Sequence, residues 1–365
     1  HDALSILVEA AMLHELPGGL YALHEALREP LRERAEPGTV EAAAGRVHRY
    51  YAELVETAPP TDPQIGAQLG QIAAAFHALR GDEAAASLFA SALMRIFEAR
   101  GLWADLAALL RDIVGSAREA GDTFREHAYL GDLGYALTVL GELDEARHAF
   151  ARSLTISRNL GDPPGEASAL NNLGAVEERQ GDLAAALAHY EEALSLREEL
   201  GSPEDVAEVL LNIAGVLYTQ ERWDAALAAL QRALDMQGAR ADRRGQASTW
   251  LLIGAAQERL GRLEDAEDSY LRARAIYANL DDAAGEGQAL NNLGIVYFSR
   301  GEAGRALEHF GRSLALKEQL ADRYGQATTL NNIALVYEKM GDVPQALDHF
   351  EQSYQLLNAL ADPRA

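Results

Sequence analysis

Three histidines, His189, His309 and His349, recur at matching places and invite a metal reading. Their separations of 120 and 40 residues put them on equivalent faces of successive helical units. Neighbouring units step by two helix spacings of about 8–10 Å, too far for ligands that must lie about 2 Å from one ion. They read as half-buried helix-face histidines. The acidic stretch Glu264-Asp265-Ala266-Glu267-Asp268 reads as a solvated helix start that suits the helix dipole rather than as an acid–base pair.

Other chemistry lacks its residues. The chain has no cysteine, hence no disulfide, thiolate metal site or cysteine nucleophile. Lys317 and Lys339 are the two lysines, and neither follows a glycine, so no G-x-x-x-x-G-K-[ST] phosphate loop exists. G-x-S-x-G, H-E-x-x-H and calcium-loop patterns are also missing. No catalytic, cofactor-binding or metal-ligating residue is assigned, and the expectation is a non-enzyme that uses no cofactor.

Asparagine is the informative residue. Asn171-Asn172, Asn291-Asn292 and Asn331-Asn332 recur, with Asn212 alone between them. An amide donates and accepts, so it can pair with a peptide backbone whatever its side chains. It can equally bond an amide on the next helix, since buried amides demand partners. Both uses stay open at this point.

Charge narrows the partners. Among 365 residues, 32 basic side chains face 56 acidic ones, a net charge of −24. Phosphates would be repelled, which argues against nucleic acid and anionic membrane. No run of 18 apolar residues is long enough to span a bilayer, and no signal peptide is visible. A cytoplasmic location is expected.

The elements that position these residues follow from a 40-residue period. Glycine recurs at Gly141, Gly181, Gly261, Gly301 and Gly341, with Glu221 the exception. Five residues on comes alanine, from Ala146 to Ala346 at every step. Four further sits a ring or leucine: Phe150, Tyr190, Leu230, Tyr270, Phe310, Phe350. Each unit reads as two helices, typified by 166–180 and 183–200. Gly181 stops the first and Asp182 can cap the second. Gly174 and Ala186 allow close approach, while Leu173, Leu187 and Tyr190 fill the space between.

These residues resemble the tetratricopeptide repeat: Leu170, Leu173-Gly174, Gly181, Ala186, Tyr190 and Ala193 match, at a period of 40 rather than 34. The resemblance implies an all-α, right-handed superhelical solenoid in which first helices line the inner, concave wall. At 100° per residue, that wall receives the partner-binding set Asn171, Asn172, Arg179, Asn212, Tyr218, Leu251, Arg259, Asn291, Asn292, Phe298, Asn331, Asn332 and Lys339. Similar proteins with a Leu-Asn-Asn-Leu helix hold extended peptides at such asparagines. The unit Trp250-Leu251-Leu252 has no asparagine, which predicts an apolar pocket at mid-groove around Leu251 and Tyr218.

The first 60 residues differ. Met12–Leu16, Pro17-Gly18-Gly19 and Leu20–His24 read as strand, turn, strand. Then come a helix at 25–35, a long helix at 39–57 carrying Arg49-Tyr50-Tyr51, and a linker at 58–63. The run Tyr21-Ala22-Leu23-His24-Glu25 through Arg34 is similar to the winged-helix end of STAND signal-transduction NTPases, the NB-ARC and MalT-like group. Glu25 replaces their Asp, and Glu29-Pro30 interrupts the helix. The expected domains are 1–35, the C-terminal part of a winged helix; 36–120, a connector with degenerate repeats; 121–360, six repeats; and 361–365, the start of a further repeat.

The expected function is the sensing module of a STAND NTPase, binding a protein or peptide trigger or the intramolecular NTPase core. The alternative is a free-standing scaffold or peptide receptor attached to no ATPase.

Overall fold

The computed structural model describes residues 13–16, 20–23, 59, 94–239 and 241–361. The expected helices at 25–35 and 39–57, the helix pair start at Gly81-Asp82, and the linker apart from exposed Pro59 lie outside these residues. So do residues 362–365. The chain divides into two compact units, His1–Ile156 and Ser157–Ala365.

Within the first unit, β1 (Leu13–Leu16) pairs antiparallel with β2 (Leu20–Leu23), Leu13 opposite Leu23 and Leu16 opposite Leu20. This matches the two expected strands, and the expected turn at Pro17-Gly18-Gly19 lies outside the described residues. Residues 94–99 are helical, and α1 (Trp103–Ala120), α2 (Thr123–Leu140) and α3 (Leu143–Leu160) follow, the last running across the boundary. Buried Glu126 of α2 accepts hydrogen bonds from Arg118 and Arg152, which hold its carboxyl below the usual range.

The second unit carries α4 (Pro163–Gln180), α5 (Leu183–Leu200), α6 (Pro203–Thr219), α7 (Trp223–Ala239), α8 (Arg243–Arg259), α9 (Leu263–Asn279), α10 (Ala283–Ser299), α11 (Ala303–Gln319), α12 (Arg323–Met340) and α13 (Val343–Ala361). Even-numbered helices are the first members of hairpins and odd-numbered ones the second. From α4 to α13, consecutive helices pack on one another, which makes a helix-pair solenoid.

One left-handed residue ends each helix, and it recurs every 20 residues from Gly101 to Gly341. Nine of these positions are glycine; Glu221, Ala241, Asp281 and Ala321 occupy the others at φ of 53–61°. At Gly181 the turn closes with Asp182 N–H bonded to Glu177 O at 2.9 Å. Asp182 then caps the next helix, accepting from Ala185 N–H at 3.0 Å. One Gly-Asp pair thereby ends one helix and begins another. α4 starts at Pro163, three residues before the expected 166, because proline lacks the N–H that a first turn leaves unpaired.

Ring on glycine closes three of the hairpins of the second unit, while alanine stands at the glycine position in the other two, at Ala214 and Ala334. A Cβ at Gly174, Gly254 or Gly294 would lie 2.5–2.8 Å from the rings of Tyr190, Tyr270 and Phe310. Where the ring carries a hydroxyl, the first helix supplies an acceptor: Tyr190 donates to Glu178 and Tyr270 to Glu258. The core is continuous, with Tyr270, Tyr277, Leu293, Tyr297 and Phe310 in one buried cluster.

Candidate first-helix wall

Position along the wall begins with the caps. Asp162, Asp242, Asp282 and Asp322 each accept from the N–H of a glycine three residues on: Gly165, Gly245, Gly285 and Gly325. A Cβ there would fall 2.0–2.2 Å from the capping carboxylate at Gly165, Gly245 and Gly325, and 2.3 Å from the Tyr277 ring at Gly285. This D-x-x-G signal fixes where α4, α8, α10 and α12 start. It stood in the sequence at 40-residue spacing, and the periodic reading passed over it.

Successive first helices then meet in pairs. α4 with α6, α8 with α10, and α10 with α12 approach closely; α6 and α8 do so less. Two asparagine bonds cross these seams. Asn212 Nδ2 donates to Asn171 Oδ1 at 2.9 Å, and Asn332 Nδ2 to Asn291 Oδ1 at 3.1 Å. The second bond joins a buried network: Lys317 Nζ donates to Thr329 Oγ1 at 2.8 Å, and that hydroxyl lies 3.3 Å from Asn291 Oδ1. Burial pushes the Lys317 ammonium down, with Asp322 opposing.

The structure therefore divides the predicted set. Asn171 and Asn291 belong to seams, facing the next first helix, and Asn291 is buried. Asn331 has the same register but is exposed. Leu251, expected on the wall, is buried in the core cluster at 6% exposure. Its neighbour Leu252, 46% exposed, takes the wall position. The physical reason is a small rotational error. The 100° estimate put residues 171, 251, 291 and 331 on the wall, whereas Asn171 and Asn291 face the following first helix and Leu251 is buried.

The remaining residues face outward. Asn172 and Asn292 are half-buried, and with Asn331 they make no side-chain hydrogen bond among the described residues. Asn212 and Tyr218 are half-buried, while Arg179, Arg259 and Lys339 are exposed. Arg259 lies 5.5 Å over the Trp223 ring and Lys339 4.6 Å over Phe298. The wall encloses an apolar pocket of about 240 Å³ lined by Gly215, Tyr218, Leu230, Leu252 and Ala255. Toward the starts of α10 and α12 lies a polar cleft of about 620 Å³, bordered by Arg244, Gln288, Asn292, Lys317 and Tyr324.

The histidines are satisfied locally. His189 pairs with Glu177 at 2.6 Å, buried His309 packs 4.8 Å from Tyr297, and half-buried His349 stacks on Tyr337. Glu267, read as part of a solvated helix start, instead accepts from Tyr297 Oη at 2.5 Å and pairs with Arg300 across the α9–α10 packing. No cluster of three metal-ligating side chains occurs among the described residues. No described helix is long and apolar enough to cross a membrane.

Comparison with known proteins follows the same lines. No curated protein matches the sequence. Among solved structures, a STAND protein with a tetratricopeptide repeat sensor from Pyrococcus horikoshii is 15% identical, with a TM-score of 0.65. The match covers 98% of this chain and 59% of that one. BtubC (BKLC) from P. vanneervenii is 24% identical at a TM-score of 0.54, over 61% of this chain and 95% of that one. A Rap protein complexed with competence and sporulation factor is 13% identical at 0.52, over 88% and 99%. At these identities the likeness concerns the fold. The tetratricopeptide-repeat profile matches residues 125–199, 205–279 and 285–359, more than half of the sequence, and the chain belongs to that family.

Proposed function

We propose that this chain is a protein- or peptide-binding module whose working surface is the first-helix wall, and that it serves as the sensor of a STAND-type signalling NTPase. The observation that carries the binding reading is the set of amides at Asn172, Asn292 and Asn331, which make no side-chain hydrogen bond among the described residues, together with the apolar pocket at Tyr218 and Leu252. Amides without a partner are matched to a peptide backbone, and an apolar hollow between them fixes one side chain. The trigger is a protein or peptide, or the NTPase core itself, and it acts by binding one state of the whole protein better than another.

The sensor reading draws on the hairpin at 13–23 ahead of the helices and on the near-full-length likeness to a STAND protein. A free-standing scaffold accounts equally for the wall. The sequence coding upstream of His1 separates them: a phosphate loop there supports the sensor, and an initiator methionine a few codons before His1 ends it. For the wall, Asn292→Ala with Asn331→Ala should weaken peptide binding about tenfold, at roughly 0.5–1.5 kcal/mol per amide, with an unchanged melt. Equal affinity would move the working surface elsewhere.

A further inference from the structure

The last described helix is covered on one side only. α13 packs on α12, with Ser353 Oγ donating to Ala327 O at 2.8 Å. On another face Val343, Leu347, Phe350, Tyr354 and Leu357 follow one another at alternating steps of four and three residues, the spacing of a helix-pairing seam. Phe350 is half-buried and the other four are 41–67% exposed. One repeat earlier the side chains matching those four, Ala303, Leu307, Leu314 and Lys317 of α11, are half-buried. There α12 packs on α11, with Lys317 bonded to Thr329. The face of α13 is therefore shaped to receive a helix, and none of the described helices lies on it.

We infer that this face pairs with the same face of a second copy of the chain. The occupant must be a helix with an exposed apolar stripe of matching spacing, and α13 is itself such a helix. No other described helix of the second unit exposes more than two large apolar side chains. The face also lacks the charge that would select an unlike partner. α13 holds two charged residues, Asp348 and Glu351, among 19, in a chain that is 24% charged. Glu351 accepts from Gln355 at 3.3 Å, so an amide shields the carboxylate nearest the stripe. Depletion of charge around an exposed tyrosine is the composition of an interface core. The area suffices as well. The exposed part of the stripe amounts to roughly 500 Å² per copy, so a pair removes about 1,000 Å² from water before any polar rim is counted, against about 1,200–2,000 Å² for a whole specific interface. The wall belongs to the first helices and α13 is a second helix, so the pairing does not depend on peptide binding at the wall.

Sedimentation equilibrium of the intact chain between about 1 and 100 µM tests it. The mass should rise from one chain to two across that range. Leu347→Glu and Tyr354→Glu, both at exposed sites, should each raise the dissociation constant about tenfold or more, and melts at the lowest concentration confirm that both variants fold. Leu271→Glu, exposed on α9 outside the stripe, should leave the dimer intact. In about 1 M NaCl the dimer should hold or tighten, because an apolar contact survives screening while repulsion between two copies of charge −24 fades. A chain that stays monomeric at about 100 µM overturns the inference and leaves the face to a helix of another protein. A dimer that survives both glutamates, or that falls apart in high salt, overturns it too, since another surface or a charged contact then joins the copies.

Discussion

The α10–α12 and α6–α8 seams are built from the same repeat two units apart, and they differ in how their polar groups end. At α10–α12 a chain of partners runs from Lys317 through Thr329 to Asn291 and Asn332. At α6–α8 the equivalent begins with Gln237 and Thr249, bonded at 2.9 Å, and stops, because Leu211 stands where Asn291 would be and Leu252 where Asn332 would be. There Leu252 lines an apolar pocket of about 240 Å³ with Gly215, Tyr218 and Leu230, so leucine leaves apolar surface where an amide would make a polar bond. The α8–α10 seam, with Leu251 and Asn292 at these registers, packs closely without an amide pair.

The largest predicted contrast lies in two glycines of these regions. Gly294→Ala on α10 drives a Cβ to 2.5 Å from buried Phe310 and should cost about 1–3 kcal/mol, read by denaturant unfolding. Gly215→Ala on α6 makes only an ordinary contact, 3.8 Å to Glu178 Oε1, and should stabilise by about 0.5–1 kcal/mol through helix propensity. Equal effects would show that the α6–α8 seam is as tight as its counterpart.

Next comes the latch. Asn291→Ala takes the acceptor from half-buried Asn332, while Thr329 keeps Gly325 O at 3.0 Å, and should destabilise by about 1–3 kcal/mol, a drop of several degrees in Tm. Asn331→Ala, in the same register but exposed, should change Tm little.

The latch can also be transplanted. Leu211→Asn with Leu252→Asn should show a favourable coupling of about 0.5–1.5 kcal/mol in a double-mutant cycle. The closed seam should then lose any peptide held there. Zero coupling would mean that the backbones, not the side chains, hold α6 and α8 apart.

The smallest effect is on pH dependence. Lys317 has its ionisation lowered by burial, so in the window just below its ordinary 10.5 the unfolded chain holds the proton more firmly. Stability then rises with pH across that window. Lys317→Gln, which copies Gln237, removes the group. Parent stability should gain on the variant as pH approaches 10.5, followed by urea melts at several pH values. A loss instead would place Lys317 in contact with solvent.

What the sequence determined alone was the repeat and its grammar. A period of 40, a helix stop followed by a capping aspartate, and a ring paired with a small residue depend on local backbone preference and side-chain size, which recur in every unit. The hairpin at 13–23 was legible for the same reason: Pro-Gly-Gly between alternating residues needs no tertiary help. The wall was legible only in outline. Asn292 borders the polar cleft and Tyr218 the apolar pocket, whereas Leu252, not the expected Leu251, lines that pocket. Adjacent residues differ by 100° on a helix, and which of the two faces the groove depends on how each helix is rotated against its neighbours. Whether an asparagine bonds a ligand or the next helix was likewise undecidable from its type. Asn291 and Asn331 share a register, yet one is buried in a network and the other is exposed, because α12 packs beside the first and no described first helix packs beside the second. The opening between α6 and α8 belongs to the tertiary structure as well. Its lining comes from three helices, Gly215 and Tyr218 of α6, Leu230 of α7 and Leu252 of α8, and no one of them shows the pocket by itself.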